Sequence, residues 1–188
     1  MRILQISSAQ FLGGGERYLA DLSRGLVSRG HEIYAALRPQ SPLFQQLSQL
    51  PKENMTALPL RNSLDVYSAR KLSAFVEQHE IEIVHAHMAR DYPLAAYAAA
   101  RNRNARLIIT RHVLFPLNRL HKLTLSHVAR VIAVSEAVAL QLRAERIIPS
   151  ERIAVVPNGI DVDRFEKAIT AFNRSRFLQS WNLPAEAL

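Results

Sequence analysis

The chain reads as an α/β protein built on a doubly wound, parallel, Rossmann-like sheet of about seven strands. Three observations carry that expectation. Short β-branched runs alternate with helix-patterned segments along most of the sequence. Several of those runs are apolar nearly throughout, as strands must be when helices cover both faces of a parallel sheet. And 188 residues, 48% hydrophobic with mean hydropathy near zero, suffice for one proper core but are short for two.

Taken in order, the first strand is expected at 2–6, followed by "FLGGGERYLADLSRGL", a glycine loop opening a helix. Leu19, Leu22, Leu26 and Val27 fall on one face of that helix, and Gly30 stands where a left-handed C-terminal residue belongs. A strand at 32–37 leads to a short helix with Pro42 near its start and Leu43, Leu47 and Leu50 turned inward. After a strand at 55–58, Ser63 is the expected N-cap of a helix burying Leu72, Phe75 and Val76. A strand at 83–87 precedes an alanine-rich helix beginning near Pro93, a favoured first-turn position. Strands at 106–110, 131–134 and 153–156 complete the set, separated by a helix over 116–127 and one capped by Ser135. From Val162 the spacing stays helical and no strand follows. Residues 1–164 are therefore expected to form the Rossmann-like domain, and 165–188 a linker and the start of a further domain.

Twenty-four Lys and Arg against sixteen Asp and Glu give a net charge of +8, so the surface favours anionic partners. The charges are scattered, which argues against nucleic acid and for a phosphate-bearing ligand or an anionic membrane. No cysteine is present, excluding disulfides and thiolate metal sites. No signal-type or membrane-spanning apolar run is visible, and a cytoplasmic protein is expected.

In such a fold the functional crevice lies beyond the carboxyl ends of the strands, here loops 7–15, 38–41, 87–91, 111–115, 135–136 and 157–161. The glycine loop is not a dinucleotide fingerprint. Gly13 and Gly15 supply two of its glycines, but Tyr18 stands at the third, and Leu37 and Arg38 stand where a ribose-binding acid is needed. Nor does a Walker Lys-Ser or Lys-Thr follow. What remains is a loop that lets a ligand approach the backbone, followed by a helix N-terminus that favours an anion.

"GGGER", "IVHAHM", "IITRH", "VIAVSEAV" and "VVPNGIDVDRF", in that order and spacing, resemble the N-terminal domain of family 4 glycosyltransferases of the GT-B fold, over nearly all of residues 1–165. The resemblance implies one of two facing Rossmann-like domains. This one binds a glycan or glycolipid acceptor, and a C-terminal domain, not matched here, binds the nucleotide-sugar donor. It further implies a retaining transfer, in cell-envelope polysaccharide or lipopolysaccharide synthesis, with no cofactor and no essential metal. The chain alone is then expected to be inactive. Carried over residue by residue, the family's glycine loop falls on Gly13, Gly14 and Gly15, with Glu16 facing the cleft. His112 is the histidine needed for transfer, near charges that separate as the diphosphate leaves. His87, Arg90, Arg111, Asn158 and Gly159 complete the expected cleft.

Other readings stand beside these. An epimerase of the same bilobed fold, or a non-catalytic module binding anionic lipid or glycan, would use a similar chain. His85 and His87 share one face of a strand with Asp91 nearby, yet a metal centre needs further ligands that this fold pattern does not supply; His85 is read as structural and His87 as lining the acceptor side. Asp161 and Asp163 fit a turn, and Ser135 with Glu136 a helix start. Residues 113–130 mix Leu114, Phe115, Leu117, Leu120 and Leu123 with Arg119, His121, Lys122, His127 and Arg130. That pattern fits docking on an anionic membrane, at the inner face of the cytoplasmic membrane, and equally an ordinary surface helix. Arg17, Arg90 and Arg111 are placed to meet an anionic acceptor, or to be solvated at strand ends.

Overall fold

A computed structural model describes residues 1–117, 119–170 and 172–186, the side chains of 119, 120, 164 and 168 excepted. Among them seven strands form one parallel sheet: β1 (Arg2–Ser7), β2 (Glu32–Leu37), β3 (Met55–Ala57), β4 (Ile83–Ala86), β5 (Arg106–Arg111), β6 (Arg130–Ala133) and β7 (Ile153–Val155). The order is β3-β2-β1-β4-β5-β6-β7. Succession runs outward in both directions from β1, so the switch point lies between β1 and β4, where a ligand crevice is expected in such sheets. Six helices connect the strands: α1 (Gly14–Val27), α2 (Leu43–Gln46), α3 (Val66–Gln78), α4 (Tyr92–Arg101), α5 (Arg119–Thr124) and α6 (Glu136–Glu145).

Strand periodicity sorts the core into two layers. Leu4, Ile6, Tyr34, Ala36, Val84, Ala86, Leu107, Ile109, Val131 and Ala133 pack on one face with Leu72 and Val76 of α3, Tyr92, Leu94 and Ala98 of α4, and Val138 and Leu142 of α6. Ile3, Ile33, Ala35 and Leu37 face the other way, against Leu19 and Ala20 of α1 and Leu43, Leu47 and Leu50. Emptying a site such as Leu72, fully buried, costs about 2–5 kcal/mol on truncation to alanine. On this second face the register continues into polar residues. Gln5 lies beside His85, and His85 beside Ile108, so Gln5, His85, His87 and Thr110 share the α1 side of the sheet.

Most of the expected elements are present, with ends displaced by a residue or so. Gly30 has φ 78°, the left-handed conformation assigned to it. Ser135 caps α6, its Oγ accepting the Val138 N–H at 3.3 Å. Three details differ. The cap of α3 is Asp65, not Ser63: its carboxylate accepts the Ser68 and Arg61 N–H groups, both at 3.1 Å, and the Ser68 hydroxyl at 2.8 Å. A single hydroxyl could not serve three donors, and that of Ser63 instead donates to the Arg90 carbonyl at 3.1 Å. Val27 is 41% exposed, because the buried stripe of α1 runs through Leu19, Ala20 and Ser23. The helix expected over 116–127 is shortened to α5. Of the segment 113–130, residue 118 and the side chains of Arg119 and Leu120 lie outside the described residues.

Met1–Asn158 and Gly159–Leu188 form two compact units. The second contains α7 (Val162–Thr170) and α8 (Arg174–Ser180), the latter capped by Asn173, whose Oδ1 accepts the Arg176 N–H at 2.9 Å. Residues 171, 187 and 188 of the expected linker are outside the described ones. Among the described residues no helix is long and apolar enough to cross a membrane.

Candidate active site

Adjacent residues at the end of β5 are separated by the pleat. His112 continues the Thr110 side toward α1, and Arg111 the Ile109 side toward α4. Arg111, expected at the cleft, is therefore buried, 4% exposed, and its guanidinium donates to the Phe115 carbonyl. Next to it the Tyr92 hydroxyl donates to the Thr110 carbonyl at 2.9 Å. The pair ties the loop after β5 to the sheet and leaves Val113, Leu114 and Phe115 exposed.

His112 is half-buried between α1 and β4. A Cβ on Gly15 would sit 3.6 Å from its Cδ2, and the Tyr18 ring meets it edge-on with centroids 4.9 Å apart. The three glycines have different surroundings. At Gly15 an added Cβ would only touch the His112 ring. A Cβ on Gly13 would fall 2.9 Å from Glu16 Oε2, whereas Gly14 has open space around it. Glu16, expected to face the cleft, turns its carboxylate back to accept the Gly13 N–H at 2.9 Å, closing the first turn of α1. Burial lowers the pKa of His112, Glu16 opposes that shift and Arg111 reinforces it.

Behind His112 lies a buried polar strip. His87, expected to line the acceptor side, is only 7% exposed; its Nε2 lies 2.8 Å from Gln5 Oε1 and its Nδ1 3.5 Å from His112 Nε2. His85 Nε2 meets Thr110 Oγ1 at 2.8 Å, and the His85 and His87 rings are 4.2 Å apart. Burial, helped by repulsion from neighbouring imidazoles, pushes His85 down to about 3 and His87 well below its ordinary value. Asp91 is fully buried, accepts the Ser8 N–H at 2.9 Å, and is pushed up by burial to about 6. Its Oδ1 and the Gln5 Nε2 have no hydrogen-bond partner. Among the described residues no group of three His, Asp or Glu is placed to hold a metal.

Arg90 is exposed in a 3₁₀ turn after β4. Asn158 ends the first unit and Gly159 opens the second, both exposed. Gln5, Tyr18 and Thr110 were not singled out as site residues from the sequence. The signal for Gln5 was available, since an amide inside the apolar run "RILQI" must find a partner in a strand buried on both faces. Chemically, the cluster offers a neutral imidazole beside the N-terminus of α1, whose first N–H groups lack intrahelical partners. A hydroxyl and an anion can be held side by side there.

The sequence profile of Glycosyltransferase Family 4 matches residues 12–164. Among solved structures, a glycosyltransferase from Rickettsia africae ESF-5 superposes with a TM-score of 0.79 at 21% identity, over 98% of this chain and 50% of that one. Anabaena Alr3699/HepE, in complex with UDP and glucose, gives 0.70 at 18% identity over 90% and 50%. The UDP-GlcNAc 2-epimerase from Neisseria meningitidis, bound to UDP-GlcNAc, gives 0.69 at 16% over 97% and 53%. The chain thus spans about half the length of these solved chains, with the Rossmann-like architecture of one half of the GT-B fold. No curated protein matches it in sequence. With the profile covering all of the sheet except β1, the chain belongs to glycosyltransferase family 4.

Proposed function

We propose that this chain is the acceptor-binding lobe of a retaining glycosyltransferase that moves a sugar from a nucleotide-sugar donor to a glycan or glycolipid of the cell envelope. The observation that carries the reading is the packing of His112 on Gly15 at the N-terminus of α1, at the carboxyl edge of the sheet. In the transfer, the anomeric carbon gains positive charge as the diphosphate departs. Neutral hydrogen-bonding groups and helix N–H donors then stabilise the separating charges, and the acceptor proton leaves with a phosphate oxygen. No metal or cofactor is assigned a step. The donor is held by a second domain, so the chain by itself is silent. The exposed Val113, Leu114 and Phe115 favour an acceptor carried on lipid, at the inner face of the cytoplasmic membrane.

The test is transfer of radiolabel from a panel of nucleotide-sugars, UDP-glucose and UDP-GlcNAc included, to a membrane-lipid extract by the full-length protein. Label should move to the extract with retained anomeric configuration and in the presence of EDTA, and His112→Ala should cost about a hundredfold in turnover. Turnover by the 188 residues alone would refute the one-lobe reading. The likeness to the Neisseria epimerase supports a second reading. Under it, UDP-GlcNAc without acceptor would yield its C2 epimer, visible by proton NMR.

A further inference from the structure

We infer that Gln5 and His87 are positioning residues that fix the tautomer of His112, so that it presents a bare Nδ1, a hydrogen-bond acceptor, to whatever hydroxyl enters the cleft. The chain of reasoning starts at Gln5, which is fully buried in β1 and aims Oε1 at His87 Nε2 from 2.8 Å. An amide oxygen only accepts, so His87 carries its hydrogen on Nε2. Buried among other imidazoles, His87 is neutral, which leaves its Nδ1 bare. That nitrogen faces His112 Nε2 at 3.5 Å. Two bare nitrogens would repel, so the hydrogen of neutral His112 resides on Nε2 and its Nδ1 is free to accept.

Two further observations fit. The Gln5 Nε2 has no hydrogen-bond partner, so the amide meets the polar strip through its oxygen alone. Tyr18 and Gly15 bracket the His112 ring, so the imidazole is held in place while its proton is assigned. The consequence is chemical: His112 accepts from a sugar hydroxyl rather than donating to the leaving phosphate. That last step rests on the transferase reading, whereas the tautomer assignment does not.

The experiment is long-range nitrogen–proton NMR of the histidine rings in the 188-residue chain at pH 7. Both His87 and His112 should show the Nε2–H form with bare Nδ1. Finding His112 as the Nδ1–H tautomer or as a cation overturns the inference, whatever the full-length protein catalyses. Gln5→Met, which removes the acceptor, should release His87 to a mixture of tautomers. A folded Gln5→Met variant with unchanged ring signals would also overturn it. In the full-length protein Gln5→Met should lower kcat about tenfold or more with donor KM unchanged. Intact tautomers in a protein without transfer activity would sink the proposed function and leave the positioning role standing.

Discussion

Gly15 faces the His112 imidazole across the cleft edge: a Cβ added at the glycine would lie 3.6 Å from Cδ2, an ordinary van der Waals distance. Alanine therefore fits at 15 and a branched side chain does not. Gly15→Ala should fold with unchanged stability and keep the His112 ring signals in place. Gly15→Val should displace the ring and cost about a hundredfold in transfer by the full-length protein, at a thermal midpoint within a few degrees of wild type. Parallel NMR and activity measurements on the two variants check this.

The buried titratable groups set the acid limb of stability. His85 and His87 have folded pKa values below their unfolded ones, so the unfolded chain binds their protons first and stability falls as pH drops below about 6.5. Asp91 acts oppositely: raised to about 6, it takes up its proton in the folded state before the unfolded one, adding stability as pH falls from about 6 toward 4. Three lowered imidazoles, His85, His87 and His112, outweigh the one raised carboxyl, so denaturant titrations between pH 6 and 4 should show a net loss of stability as pH falls. Asp91→Asn, which removes the opposing group, should steepen that loss.

Asp65 closes a buried turn with three hydrogen bonds at the start of α3. Asp65→Ala leaves two backbone N–H groups and a hydroxyl without this partner, and should cost about 2–3 kcal/mol by urea unfolding. Ser63→Ala, at the cap position read from sequence, should cost less than about 1 kcal/mol.

Leu114 and Phe115 are 56% and 76% exposed on a loop that Arg111 anchors through the Phe115 carbonyl. If that loop meets lipid, co-sedimentation with anionic vesicles should fall several-fold in Phe115→Ser and at high salt, and be absent with neutral vesicles. Equal binding by Phe115→Ser would remove the loop from any membrane contact.

The architecture was legible in sequence because alternation of β-branched runs and helical stripes is a local property, as Ile3 to Ile6 and Leu72 to Val76 illustrate. His112 was reached through the resemblance to family 4 glycosyltransferases, and Gly15 through the run of three glycines that precedes the first helix. The surroundings of Arg111 were not legible: its place at the carboxyl end of a strand suggested the cleft, whereas the strand period turns its side chain to the face opposite His112, where it is buried. The buried amide of Gln5 was visible inside its apolar run, but its partner, like the contact of Tyr18 with His112, exists only once distant elements are brought together.

That assembly has a consequence for how the molecule is made. In the central β1–β4 pair, Gln5 lies beside a residue 80 positions further along the chain, and a contact so distant forms late and against a large loop-closure entropy. While a nascent chain has not yet exposed β4, β1 and β2 have one open edge, and the amide of Gln5 is still in water. A chain stopped short of residue 83 would leave the inner edge of β1 without its partner strand, and should aggregate rather than fold. The histidine pocket therefore closes only once the middle of the sheet is complete.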